Sequence, residues 1–179
     1  DAATSASVVV GDAGPVTADV MVCASGSLGH IYFTGEPRRL DLSDVAAGHP
    51  GFIEGLVAHP GIGFVMIRSS LHGPVVSGPG GVHYLRDHRV EGEDPLADYV
   101  PRAREHLLRL DEFPHCGDVV VMGRYDSVTQ EVETFEEMVG AHGGLGGLQT
   151  AAFLVAPRGW PLPAEPVHNP EHLHQVFVR

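Results

Sequence analysis

Four apolar runs, none longer than a strand, set the limits on what this 179-residue chain can fold into. They are ADVMVCAS (18–25), FVMIRSS (64–70), GDVVVMGRYD (117–126) and TAAFLVAP (150–157), each ended by Gly, Pro or polar residues. Short apolar runs of this kind predict strands, and ADVMVCAS and GDVVVMG read as strands buried on both faces. No run approaches the roughly 20 residues that a membrane-spanning helix needs.

Between these runs the turn and helix signals are dense. SGSLG (25–29) predicts a turn and HIYFT after it a second strand. Residues 41–58 predict a helix in two pieces, the first capped by Ser43 and interrupted by His49-Pro50-Gly51 before FIEGLVA. GPVVSGPGGVHYLRDHRVEG (73–92) predicts hairpins or a small meander, and PRAREHLLRLDEF (101–113) a helix with proline near its start. YDSVTQEVETF reads as a hairpin, and NPEHLHQVF as a final helix capped by Asn169 with Pro170 in its first position. Strands interleaved with helices indicate an α/β or α+β fold, with the core strands near each end and an insertion or subdomain over about 36–113. Residues 1–17 are small and polar, a loose lead-in. Their start at Asp1, without methionine or a signal peptide, suggests a trimmed chain or a fragment.

The formal charge is −12, and all eleven basic residues are arginine. So acidic a surface repels a phosphate backbone, which argues against a nucleic-acid duplex as partner. Cys23 and Cys116 share no CxxC spacing, and the apolar setting of Cys23 predicts a buried free thiol.

Twelve histidines invite metal chemistry, so each motif has to be weighed. HNPEH (168–172) fits an H-x-x-E-H zinc string only if both histidines share a helical face, and Asn169-Pro170 starts the helix after His168. Asp87-His88 lies between β-like runs and reads as a solvated hairpin turn. HGG at His142 lacks the G-x-S-x-G elbow an esterase requires. Without lysine, the glycines following it form no phosphate-binding Walker loop. His142 itself, in MVGAHGGLGG (138–147), combines a metal-competent imidazole with open backbone around it. One histidine is not a site, because a catalytic zinc takes three protein ligands and a structural zinc four. A ligand and a turn residue both remain readings of His142.

The segment GDVVVMGRYDSVTQEVETFEEMVGAHGGLGGLQTAAFLVAP (117–157) resembles the C-terminal part of bacterial proteins of the alkaline phosphatase superfamily. The resemblance is to the type I phosphodiesterase and nucleotide pyrophosphatase-like group. ADVMVCASGSLGHIYFTGEPRRL, HPGIGFVMIRS, VEGEDPL and RLDEFPHCGD agree with that group in order, from about residue 19 to 177. The resemblance implies a partial alkaline-phosphatase-like core sheet with an inserted α+β subdomain. It implies that His142 is a ligand of one of two catalytic metals about 4 Å apart, usually zinc and sometimes manganese, acting on a phosphate ester. It also makes Ser25, Ser27, Gly143 and Gly144 candidates for the substrate cleft. The family's nucleophile and remaining metal ligands have no counterpart in this sequence, so the resemblance is to the C-terminal portion of an enzyme. A stand-alone, non-catalytic binding or scaffolding domain is the alternative. A half sheet would expose an apolar face, favouring self-association or pairing with an N-terminal half. Some relatives are membrane-tethered through a phage-holin-like segment and others cytoplasmic, which leaves localisation open.

Overall fold

The structure, a computed structural model, describes residues 18–137 and 140–178. The expected lead-in at 1–17 and the first two residues of MVGAHGGLGG lie outside the described residues. Seven strands form one sheet: β1 (Val20–Ser25), β2 (Leu28–Phe33), β3 (Ile62–Ser69), β4 (Gly73–Gly78), β5 (Gly81–Tyr84), β6 (Arg89–Gly92) and β7 (Val119–Gly123). Their order is β1-β2-β7-β3-β4-β5-β6, and every neighbouring pair is antiparallel. A small second sheet pairs β8 (Tyr125–Asp126) with β9 (Glu131–Val132). Among the described residues four α-helices complete a mixed α/β fold: α1 (Leu42–Gly48), α2 (Phe52–Ala58), α3 (Ala103–Asp111) and α4 (Pro170–Phe177). Among the described residues no helix is long and apolar enough to cross a membrane.

β7 is an interior strand between β2 and β3, and all five of its residues are buried. Alternate side chains therefore feed two cores, as the two-residue period of a strand requires. Val120 and Met122 join Phe64, Met66 and Val76 beneath α3, whose Ala103 and Leu107 face them. Val119 and Val121 join Ile31, Phe33, Val65 and Ile67 beneath α1 and α2, which contribute Val45 and Ile53. The stretch 36–113 supplies β3 to β6 and α1 to α3, and its side chains share both cores with β2 and β7.

Several local expectations hold. The helix over 41–58 is split at His49–Gly51, and Gly51 enters α2 with φ of 80°. Asp87 and His88 lie in the exposed turn between β5 and β6. Asn169 caps α4, accepting from the His172 N–H at 2.8 Å, with Pro170 in the first turn and His168 outside the helix.

Three expectations are corrected. The cap of α1 is Asp41 rather than Ser43: its carboxylate accepts from the N–H groups of Ser43 (2.8 Å) and Asp44 (3.1 Å), while Asp44 accepts from the Asp41 N–H (2.9 Å). A carboxylate can accept from both exposed donors at once, and the Ser43 hydroxyl donates to it as well, at 2.6 Å. β1 is a strand but not a buried one: it is an edge strand, and from Met21 to Ser25 every residue is exposed. Cys23 is accordingly free but exposed, and Cys116 is the buried thiol. Finally, 150–157 forms no strand. Its β-forming side chains have no neighbouring strand to pack on, and strand preference expresses a fit to such a surface.

Candidate functional site

The expected site residues meet at one end of the sheet, where β1 turns into β2. The connection is two residues long, Gly26-Ser27, with Ser25 opposite Leu28. Gly26 has φ of 59°, the conformation a tight hairpin demands of its first turn residue. Ser27 is completely buried, and its carbonyl accepts from the Gly123 N–H at the end of β7 (2.7 Å). The hairpin is thereby fastened to the end of β7.

The glycine-rich loop lies across this turn. The Ser27 N–H donates to the His142 carbonyl at 3.2 Å, and the Ser27 hydroxyl donates to Gln149 Oε1 at 3.1 Å. Gln149 Oε1 also accepts from the Gly144 N–H (3.1 Å), and its Nε2 donates to the Gly146 carbonyl (3.0 Å). On the other side, Glu136 Oε1 accepts from the Gly26 N–H at 2.9 Å, and the Phe135 N–H donates to the Gly26 carbonyl at 2.8 Å. A Cβ at Gly26 would stand 2.0 Å from the His142 carbonyl oxygen, and one at Gly144 would stand 2.0 Å from Ser27 Oγ. These glycines are thus dictated by backbone contact within the protein.

His142, Ser25, Ser27, Gly143 and Gly144 are brought together, but in different ways. The backbone of His142 faces the turn and the residue is exposed, with no hydrogen-bond partner for its ring among the described residues. Ser25 is exposed, and its carbonyl lies 3.0 Å from where a Cβ on Gly143 would project. Ser27 is buried with its hydroxyl engaged, which makes it a fastening of the loop rather than an exposed group. Gly144 is buried and Gly143 exposed with φ of 81°.

A cleft of about 620 Å³ opens beside the loop, between Gly140, Ala141 and Gly146 on one wall and the β8–β9 hairpin on the other. Asp126, Glu131 and Glu133 face it, against one cation, Arg124, which lies 3.4 Å from Glu133. The Asp126 carboxylate accepts from the N–H groups of Thr129 (3.0 Å) and Val128 (2.8 Å), which hold it below its usual range. Tyr99, whose ring lies 6.2 Å from that of Tyr125 on β8, donates its hydroxyl to the Gly123 carbonyl at 3.2 Å, and burial pushes its phenol up to about 12. The net negative wall attracts cations and repels a bare phosphate.

The fit to a metal is partial. Among the described residues no three His, Cys, Asp or Glu side chains gather as a metal-holding group. One imidazole does not meet the three-ligand need of a catalytic zinc, so the described residues do not by themselves hold one.

Sequence reasoning passed over two residues that build this region and one in the outer part of the seven-stranded sheet. Gln149 and Glu136 are ordinary polar residues in sequence, and only the folded turn shows that they fasten it, through the Ser27 hydroxyl and the Gly26 N–H. The third is His83, 2% exposed, whose Nδ1 lies 2.9 Å from Asp94 and whose ring stacks on His88 at 5.2 Å. Its position in the alternating GVHY strand was the available signal. Comparison of the chain with protein-family models, with curated proteins and with solved structures yields no match to any of them.

Proposed function

We propose that this chain is the C-terminal portion of a metal-dependent phosphoesterase with an alkaline-phosphatase-like core, in which His142 is one ligand of a divalent cation, zinc or manganese. The observation that carries the reading is an exposed histidine on a loop fastened across the β1–β2 turn, beside an acidic cleft. The carboxylates of that cleft favour a cation, and a phosphate ester would need one there to offset its own charge. The remaining ligands and the nucleophile belong to residues outside this chain, so the activity belongs to a longer form.

Metal content and hydrolysis of a p-nitrophenyl phosphodiester, measured on the 179-residue chain and on a longer form, test this. The longer form is expected to hold metal and turn over, and the shorter chain to do neither. His142→Ala in the longer form should lower both metal content and activity, the activity by at least about tenfold, or about 1.4 kcal/mol of barrier. A smaller loss, with metal retained, refutes the ligand role.

The uncharged edge that β1 forms among the described residues favours a second reading, a non-catalytic binding or scaffolding domain on the same fold. Absence of turnover in every form, with the fold intact, selects it.

A further inference from the structure

We infer that the cavity between β5, the loop 94–101 and the start of α3 binds a small organic cation with N–H donors, a primary ammonium, on the buried imidazole of His83. The inference does not depend on the phosphoesterase reading.

His83 lies opposite Val76 on β4 and Val90 on β6, and it is 2% exposed at a position where an aliphatic side chain would be ordinary. Its Nδ1 lies 2.9 Å from Asp94 Oδ1, and a carboxylate accepts only, so Nδ1 carries the hydrogen. The neutral ring then holds its lone pair on Nε2. That atom is buried and has no hydrogen-bond partner among the described residues. A buried polar atom left unpaired is costly, and the group missing here is a donor.

His83 lines a cavity of about 240 Å³, smaller than the pockets that take drug-sized ligands. Leu96, Val100 and Ala103 form its apolar wall, and Asp94 and Glu105 bring two carboxylates. The cation beside them is Arg104. Its Nε donates to the Leu85 carbonyl at 2.7 Å and its Nη2 to the Arg86 carbonyl at 3.4 Å, while Glu105 stands 4.0 Å from Nη1. One guanidinium and the roughly half-charge of the α3 N-terminus do not offset two carboxylates, so the cavity is net negative.

That charge and the acceptor on His83 both oppose an anion. Among the described residues these groups form no metal-holding set of three. A primary ammonium answers each feature: an N–H for Nε2, a charge for the carboxylates and an alkyl chain for the apolar wall. Its way in is by His88, whose ring lies over that of His83 with centroids 5.2 Å apart and planes 16° from parallel. His88 is exposed on the β5–β6 turn with φ of 54°, a conformation uncommon for a residue other than glycine. Swinging its side chain outward uncovers the His83 ring and leaves the core packed.

Imidazole nitrogen NMR of the 179-residue chain, titrated with n-butylammonium, tests this. The His83 Nε2 resonance is expected to move saturably, with a roughly millimolar dissociation constant, as suits so small a ligand. Tetramethylammonium has the charge but no N–H, and should bind at least about tenfold more weakly because Nε2 then stays unpaired. Glu105→Gln, at an exposed position that leaves folding intact, should weaken n-butylammonium at least about threefold. No saturable movement up to about 50 mM overturns the inference and leaves Nε2 to a buried water. So does equal binding of tetramethylammonium, or a Glu105→Gln chain that binds as tightly as the parent. Zinc that moves the same resonance at micromolar concentration, and that n-butylammonium does not displace, would overturn it in favour of a metal site.

Discussion

β1 and β7 are two strands of nearly the same chemistry and opposite fates. VMVCAS and VVVMG both consist of valine, methionine and small residues. β7 lies between β2 and β3 with helices over both faces, and every residue is buried. β1 lies on the far side of β2, where only Val20 packs against a core, and Met21 to Ser25 face solvent. Apolar composition therefore states that a segment is a strand, while its place in the sheet order decides whether it is core.

A matched pair of substitutions is the strongest test of that contrast. Met122 in β7 is 2% exposed and Met21 in β1 is 48% exposed. Met122→Ala should destabilise the protein by about 2–5 kcal/mol in urea unfolding, and Met21→Ala by less than about 0.5 kcal/mol. Equal losses would mean that β1 is covered in solution.

The next test asks the same question of backbone. Gly26 has positive φ and abuts the His142 carbonyl, while Gly55, within α2, has nothing within 4 Å of its would-be Cβ. Gly26→Ala is expected to cost about 1–3 kcal/mol through strain and displacement of the glycine-rich loop. Gly55→Ala should stabilise by about 0.5–1 kcal/mol, as a better helix former at an unobstructed position. Thermal unfolding of both variants compares them, and a Gly26 variant as stable as the parent would remove the packed-turn account.

The smallest effect concerns the helix layer that β7 has and β1 lacks. The Ser43 hydroxyl and the Asp44 N–H hold the Asp41 carboxyl well below its usual range. The folded state thus binds that proton more weakly than the unfolded chain. Its contribution is full above the ordinary carboxylate value of about 4 and is lost as pH falls through the lower folded value. Asp41→Ala should cost about 1 kcal/mol at neutral pH. The gap from the parent should narrow as the pH is taken below about 4, and a gap independent of pH would refute the capping role.

Much of this architecture was legible in the sequence. The buried run of β7, the break at His49-Pro50-Gly51, the hairpin turn at Asp87-His88 and the Asn169 cap each depend on neighbours in sequence, which local pattern reports. The exposure of β1 and Cys23 was not legible, because it depends on which strands lie alongside. Segment 150–157 has the residues of a strand but no neighbour to pair with, a condition that sequence does not encode locally. At the candidate site, the glycines around His142 announced close approach. What approaches is the Gly26-Ser27 turn, and the contact uses the carbonyl of His142. Gln149 and Glu136 gave no signal because the turn groups they hold, the Ser27 hydroxyl and the Gly26 N–H, lie more than 100 residues away.

The position of β7 also dictates an order of assembly. The β1–β2 hairpin and the run from β3 to β6 are each built from contacts between neighbours in sequence. What joins them is Val120, opposite His30 on one side and Met66 on the other. During synthesis the residues of both pieces emerge before residues 119–123 arrive to pair with β2 and β3. The keystone strand is made after the arch, and both cores stay open until it slots in.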